Sequence, residues 1–137
     1  MGMKMRAAAV LLMMTGFAAG AGEEKYAGTW EASFKSTVFL VLKVKTGEKI
    51  SGTMNAGGVT VNDEGDLQEV RPVGDHESPI FFARLEGEKL VFEFQDDDDD
   101  VLSFELKLIG EDAGELRIVD KDHPKMKGFA VKRVKQG

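Results

Sequence analysis

The sequence predicts an all-β fold: a small antiparallel barrel of about eight strands, arranged up and down, that follows an N-terminal signal peptide. Three observations predict it. Apolar and polar residues alternate over most of the chain, as they do in strands that bury one face. Turn sequences recur roughly every 8–12 residues. No stretch has the apolar spacing of a convincing amphipathic helix.

Residues 1–21 have the features of a secretory signal peptide. Lys4 and Arg6 precede an apolar run over 7–20, and residues 19–21 (Ala-Gly-Ala) offer a cleavage site of small residues. The run is shorter than the roughly 20 residues that span a bilayer, so we expect no stable membrane anchor after cleavage. The chain has no cysteine, which excludes disulfides and favours a bacterial periplasmic or secreted protein.

Cleavage would leave residues 22–137 as a single β-barrel domain. All 24 acidic residues lie in this part, whereas Lys4 and Arg6 are two of the 18 basic residues. The net charge therefore changes from −6 for the whole chain to about −8 for the mature domain. A charge of this sign repels phosphate backbones on average, and we expect no nucleic-acid partner.

The stretch from Tyr26 to Met54 predicts an opening strand followed by a long hairpin. Gly28 lies two residues before Trp30; the glycine lets another segment approach the backbone, and the indole can plug one end of a barrel. A glycine-containing turn at 46–48 joins the hairpin strands. The predicted inward residues here are Val38, Leu40, Leu42, Val44, Ile50 and Met54, and the predicted outward ones are Phe39 and Val41.

Residues 55–79 are the least regular part of the domain. Four glycines and two prolines interrupt them, and only Val59 with Val61 and Leu67 with Val70 are candidates for short strands. A segment of this kind between regular hairpins is where we expect the mouth of the barrel and its lid.

Alternation returns at Ile80 and continues in further hairpins to the last strand, with Phe81 on the outer face. Eight-stranded barrels are filled by their own side chains or hold one small ligand, and so many Phe and Leu residues favour the filled or nearly filled case. The predicted inward residues of this half are Phe82, Leu90, Phe92, Phe94, Leu102, Phe104, Leu106, Leu108, Leu116, Ile118, Phe129 and Val131.

The two ends of the domain resemble a known group of barrels. The opening Tyr26-Ala27-Gly28-Thr29-Trp30 is similar to the G-x-W start of lipocalins and fatty-acid-binding proteins, the calycins. In that group a basic residue near the last strand packs on the tryptophan, and Arg133 stands in the matching place. The resemblance covers about ten residues, and it implies a barrel fold and structural roles for Gly28, Trp30 and Arg133. It brings no catalytic residue.

Two functions compete on the sequence alone, and neither is enzymatic. The first is a non-catalytic binding module for a small apolar ligand, with Trp30, Phe82, Phe92, Phe94 and Phe104 as candidate contacts. The second is a filled barrel that contacts an unidentified protein through outward Phe39, Val41 and Phe81. An enzyme needs convergent polar groups in a pocket, and the predicted inward set contains none.

Ionisable residues add a third alternative, a weak calcium site. Asp96, Asp98 and Asp100 belong to a run of five aspartates, but the run lacks the ligand spacing of a calcium loop and favours a solvated turn. His76 and His123 are far apart, without a zinc spacing, and His76 adjoins Asp75 in an extended loop that does not make a triad. Gly57-Gly58 lacks the lysine of a phosphate loop. We expect no cofactor.

Overall fold

Eight strands close into an antiparallel barrel in a computed structural model that describes residues 22–95, 99–119 and 127–134. The strand order around the barrel is β1-β10-β9-β8-β7-β6-β3-β2, while β4 and β5 form a separate hairpin. The predicted all-β, up-and-down barrel is confirmed. The strands are β1 (Gly28–Phe34), β2 (Thr37–Lys45), β3 (Ser51–Ala56), β4 (Val59–Val61), β5 (Leu67–Val70), β6 (Ser78–Glu86), β7 (Lys89–Gln95), β8 (Val101–Leu108), β9 (Ala113–Val119) and β10 (Phe129–Val134).

The predicted signal peptide, residues 1–21, lies outside the described residues. Within the described ranges, no helix has both the length and the apolar character needed to cross a bilayer.

A β-bulge in β2 changes which residues face the core. Ala32 of β1 pairs with Leu40, whereas the next residue, Ser33, pairs with Val38. Phe39 is therefore the extra residue, and a bulge lets two successive side chains point to one side. Phe39 and Leu40 are both buried, and Val38 is only half-buried. The prediction that Phe39 faces outward is wrong for this reason, and Val41 on the outer face is also half-buried.

A second bulge lies in β6. Phe81 pairs with Glu93 and Arg84 with Val91, which leaves two β6 residues opposite one residue of β7. Phe82, one of the two, has a φ of 52°, a left-handed conformation that is uncommon for an aromatic residue. Its side chain is 72% exposed. The prediction that Phe82 faces inward is therefore wrong, because the alternation is interrupted at this residue.

The other predicted inward residues lie in rows across neighbouring strands. One row joins Leu90 of β7, Leu106 of β8 and Leu116 of β9, all fully buried. The row above it joins Phe92 to Phe104, whose rings stack with centroids 5.4 Å apart. These rows fill the middle of the barrel. Besides Val38, three of the predicted inward residues are only partly buried, at the ends of the barrel: Leu102, Leu108 and Ile118.

One end of the barrel is closed by the residues that carry the family resemblance. Trp30 is fully buried, and its indole N–H donates to the Tyr26 carbonyl oxygen at 2.9 Å. The Arg133 guanidinium lies 4.5 Å from the indole centroid and donates to the carbonyl oxygens of Lys25 and Glu111. Gly28 has a φ of 127°, and a Cβ there would meet Arg133 Nε at 3.3 Å. The predicted packing of Arg133 on Trp30 is present, and the two side chains together close this end of the barrel.

Tyr26 fastens the N-terminal segment across the same end. Its phenol donates to the Glu88 carbonyl oxygen at 2.5 Å. Burial raises the pKa of Tyr26 above its usual 10.0, and the Glu88 carboxylate raises that pKa further. The folded protein therefore holds the phenolic proton more tightly than the unfolded chain. The stabilisation is present below pH 10 and is lost as the pH rises through the elevated pKa.

Replacing Tyr26 by phenylalanine is expected to lower the free energy of unfolding by about 1 kcal/mol near neutral pH, because one partly buried hydrogen bond is lost. The variant is also expected to lose less stability than the wild type between about pH 9 and pH 12. Urea unfolding across this range measures both effects. Tyr26 is the only tyrosine in the sequence, so alkaline difference absorbance reads its titration directly. A phenol that titrates at its usual pKa in the folded protein would contradict the prediction.

Candidate functional site

A cavity of about 520 Å³ opens at the end of the barrel opposite Trp30. Its inner wall is apolar and comes from five barrel strands. Its rim comes from the end of β3, from β4 and from the segment between β5 and β6. The inner-wall residues are Phe39, Leu40, Phe94, Leu102, Phe104, Ile118 and Phe129, and the rim includes Asn55, Gly57, Gly58, Val59, Arg71, Pro72, Gly74, Asp75, His76 and Ser78.

The structure separates the five residues predicted as ligand contacts. Phe94 and Phe104 line the cavity. Phe92 lies one row deeper in the filled core, stacked on Phe104. Trp30 lies at the closed end and Phe82 on the outer surface. Two of the five therefore reach the site.

Phe39 was missed as a site residue and is central to the cavity wall. Its ring meets the Phe129 ring edge to face, with centroids 5.3 Å apart and an interplanar angle of 87°. Phe94 and Phe104 form a second such pair, at 6.4 Å. Aromatic pairs of this geometry are favoured electrostatically and hold their rings in place. The wall thus presents two ordered aromatic pairs to the cavity.

The segment between β3 and β6 is the predicted lid, and backbone hydrogen bonds fix its two ends to the barrel. The Gly57 N–H donates to the Phe39 carbonyl oxygen at 2.7 Å, and the Val73 N–H donates to the Val38 carbonyl oxygen at 3.1 Å. The Asn55 side-chain amide donates to the Gly74 carbonyl oxygen at 2.7 Å. Both ends therefore attach beside the β2 bulge, directly over the cavity.

The β4–β5 hairpin within this lid is held by apolar packing and by one ion pair. Val59, Leu67 and Val70 are partly buried against the barrel core. At the hairpin turn, Asp66 accepts a hydrogen bond from the Lys127 ammonium at 2.8 Å, an interaction that raises the pKa of Lys127. The lid is thus a folded hairpin seated on the barrel.

Arg71 is the cationic residue of the rim, and its position depends on a glycine. A Cβ on Gly58 would overlap the Arg71 guanidinium, so the side chain lies flat against the backbone there. The Gly58 carbonyl oxygen accepts the Arg71 backbone N–H at 2.8 Å, which fixes the same two residues side by side. Across the described part of the chain, the Arg71 guanidinium makes no ion pair and no hydrogen bond.

His76, Asp75 and Ser78 also line the cavity, but they do not form a relay. No hydrogen bond joins any two of their side chains in the described ranges. A catalytic triad requires the histidine to contact both the nucleophile and the carboxylate. The arrangement offers polar contacts at the rim of an apolar cavity.

The candidate metal ligands fall largely outside what is described. Asp96, Asp98 and His123 lie outside the described residues, whereas Asp100 is exposed just before β8. Among the described residues, no group of three His, Cys, Asp or Glu side chains is close enough to hold an ion.

The outer wall carries exposed apolar side chains at the β6 bulge. Phe81 is 41% exposed, and Phe82 beside it is more exposed. Val101 on β8 and Val119 on β9 are exposed on other strands of the barrel. Phe81 therefore faces outward as predicted, and the bulge adds Phe82 to the same surface.

Comparisons with known protein families, with curated proteins and with solved structures find no match to this chain.

Proposed function

We propose that this protein is an exported, non-catalytic binding module that holds one small apolar ligand at the open end of the barrel. The cavity of about 520 Å³ beneath the lid is the observation that carries the proposal. Ligand sites in proteins are typically apolar clefts of roughly 300–1,000 Å³ with a few polar groups at defined places. This cavity has that size and that composition.

The barrel interior has a packed part and an open part, and this arrangement supports the same function. The middle and closed end are packed by fully buried residues such as Leu90, Leu106 and Trp30, so a ligand has room only above them. The lid spans this upper space and contributes its own apolar side chain, Val59, to the cavity. A ligand there would be enclosed between the Phe39–Phe129 pair and the lid.

We also propose that the chain is calycin-like. The Gly28-x-Trp30 start of β1 and the Arg133 guanidinium over the indole support this, together with the closed eight-stranded barrel. The signal-like residues 1–21 support a periplasmic or secreted location.

Native mass spectrometry tests the binding function directly. The full chain is expressed in a bacterial host, recovered from the periplasm and measured under native and denaturing conditions. The expected result is a discrete added mass that dissociates on denaturation, and this mass begins to identify the ligand. A protein recovered from the cytoplasm would refute the export proposal. A bare chain mass, together with no binding of apolar probes, would refute the ligand proposal.

A second candidate function is a protein contact on the outer wall, favoured by exposed Phe81 and Phe82 at the β6 bulge. Phe82 has a positive φ, a backbone conformation that lowers the stability of the fold. Strained conformations of this kind are found at functional surfaces. Cross-linking from position 82, compared with exposed position 45 on β2, tests it. Equal cross-linking from both positions would remove this candidate.

A further inference from the structure

We propose that the ligand is an aromatic anion: a flat aromatic body in the cavity, with one carboxylate or similar acidic group at Arg71. The inference rests on the proposed binding function and adds the chemical class of the ligand. Two observations carry it, the paired aromatic rings of the cavity wall and a guanidinium at its rim that has no partner among the residues the structure describes.

The wall favours an aromatic body. Four phenylalanines, Phe39, Phe94, Phe104 and Phe129, line the cavity as two edge-to-face pairs. Rings prefer offset-stacked or edge-to-face contacts, and these add to the burial of apolar area. An aromatic ligand would continue the pattern of ring contacts that the wall already contains.

The rim favours an acidic group. The Arg71 guanidinium is placed against Gly58 at the edge of the cavity, and the described residues give it no acceptor. Guanidinium groups bind carboxylates through two parallel hydrogen bonds, and such charge-assisted bonds are stronger than neutral ones. A ligand acid at the rim would supply the acceptors.

Asp75 is expected to weaken the binding of an anion, whereas Arg71 is expected to strengthen it. This difference gives the proposal a second test. Asp75 lines the same cavity and forms no ion pair with Arg71 in the described part of the chain. A ligand anion is therefore attracted by Arg71 and repelled by Asp75. Replacing each residue is expected to move the affinity in opposite directions.

The test uses naphthoate and its uncharged analogue naphthylmethanol, with the fluorescence anisotropy of the naphthyl group as the readout on the mature protein. In the wild type, naphthoate is expected to bind about fivefold more tightly than naphthylmethanol, the size of an exposed charge contact. Arg71→Gln is expected to remove this preference by weakening naphthoate binding about fivefold. Asp75→Asn is expected to strengthen naphthoate binding.

Arg84→Gln is the matched control, because it removes the same charge from an exposed arginine on β6 that does not line the cavity. The expected result is an unchanged preference for naphthoate. Arg71→Lys keeps the charge without the planar fork, and is expected to retain part of the preference. Melting curves show which variants are folded. If Arg71→Gln does not fold, Arg71→Lys still tests the proposal.

The outcomes separate this inference from the proposed function. Equal binding of the two probes, unaffected by Arg71→Gln, would overturn the acidic group and leave the apolar site intact. A preference for naphthoate that Arg84→Gln also removes would reflect net charge alone and would equally overturn it. Dodecanoate, measured by its displacement of bound naphthoate, tests the aromatic body. Tighter Arg71-dependent binding of dodecanoate than of naphthoate would overturn that part. Binding of no probe, with a bare native mass, would refute the proposed function itself.

Discussion

Replacing Trp30 by alanine is expected to lower the free energy of unfolding by about 3–5 kcal/mol, the usual loss when a large aromatic residue is removed from a core. Trp30 is fully buried and is the largest side chain in the core. A domain of this kind has a total stability of about 5–15 kcal/mol, so the variant is expected to be folded only marginally. Urea unfolding followed by far-ultraviolet circular dichroism measures the loss.

The large effect has two further causes at the closed end. Without the indole N–H, the Tyr26 carbonyl oxygen loses the donor at 2.9 Å. Without the indole face, the Arg133 side chain loses the surface on which it lies, and its buried Nε has no hydrogen-bond partner. Burying a polar group without a partner is costly, and the ring at present compensates through a cation–π contact.

Trp30→Phe keeps this prediction testable if the alanine variant does not fold. Phenylalanine retains a ring beneath Arg133 but lacks the N–H donor and part of the volume. An intermediate loss of about 1–3 kcal/mol is expected, which combines one missing hydrogen bond with a small cavity. Arg133→Met, which preserves the stem but not the charge, is expected to lose about 1 kcal/mol. If Trp30→Ala lowered the free energy of unfolding by less than about 1 kcal/mol, Trp30 would not stabilise the closed end as we expect.

The same closed end shows what the sequence can predict. Gly28 and Trp30 lie in the first strand and Arg133 lies in the last, yet each occupies a characteristic place at the start or end of the strand series. The strands between them alternate with a period of two, which is visible without any structure. The all-β class, the approximate number of barrel strands and most of the core, including Leu90, Leu106 and Leu116, were therefore predictable. Strand order and closure were not, because they depend on pairing between distant strands.

The bulges were not predictable, because they interrupt the period on which the prediction depends. One face of the run from Val38 to Val44 is apolar without a break in the sequence, but the pairing with β1 skips one residue at Phe39. At Phe82 the chain adopts a positive φ with no glycine or asparagine to signal it. The β1–β2 turn at Lys35 and Ser36 is similar, since both residues have positive φ and neither is a typical residue for such a turn.

The site depends on these unpredictable features more than the fold does. Phe39 enters the cavity wall only because of the bulge, and Arg71 reaches the rim only because the lid folds back over β2. Residues 55–79 did carry a usable signal, since their glycines and prolines pointed to a lid. Which side chains of that lid face the barrel is set by contacts distant in sequence, and local patterns do not encode these.

Gly57→Ala is expected to have the second-largest effect and to act on the lid. A Cβ at Gly57 would overlap the carbonyl oxygen of Arg71 and would lie 2.7 Å from that of Pro72. Both obstacles are backbone atoms, so the two ends of the lid, which flank β4 and β5, must move apart. Overpacking of this kind costs about 1–3 kcal/mol. We expect that loss in urea unfolding, together with weaker binding of naphthylmethanol.

Gly74→Ala is the matched control. Gly74 lines the same cavity, but a Cβ there meets no atom within 4 Å. Its expected effect is below about 0.5 kcal/mol, as for a surface substitution. Hydrogen exchange adds a local readout, because the Gly57 and Val73 amides bond to β2 carbonyl oxygens and are expected to exchange faster in Gly57→Ala alone. Equal exchange in the two variants would show that the close approach at Gly57 does not hold the lid over the cavity.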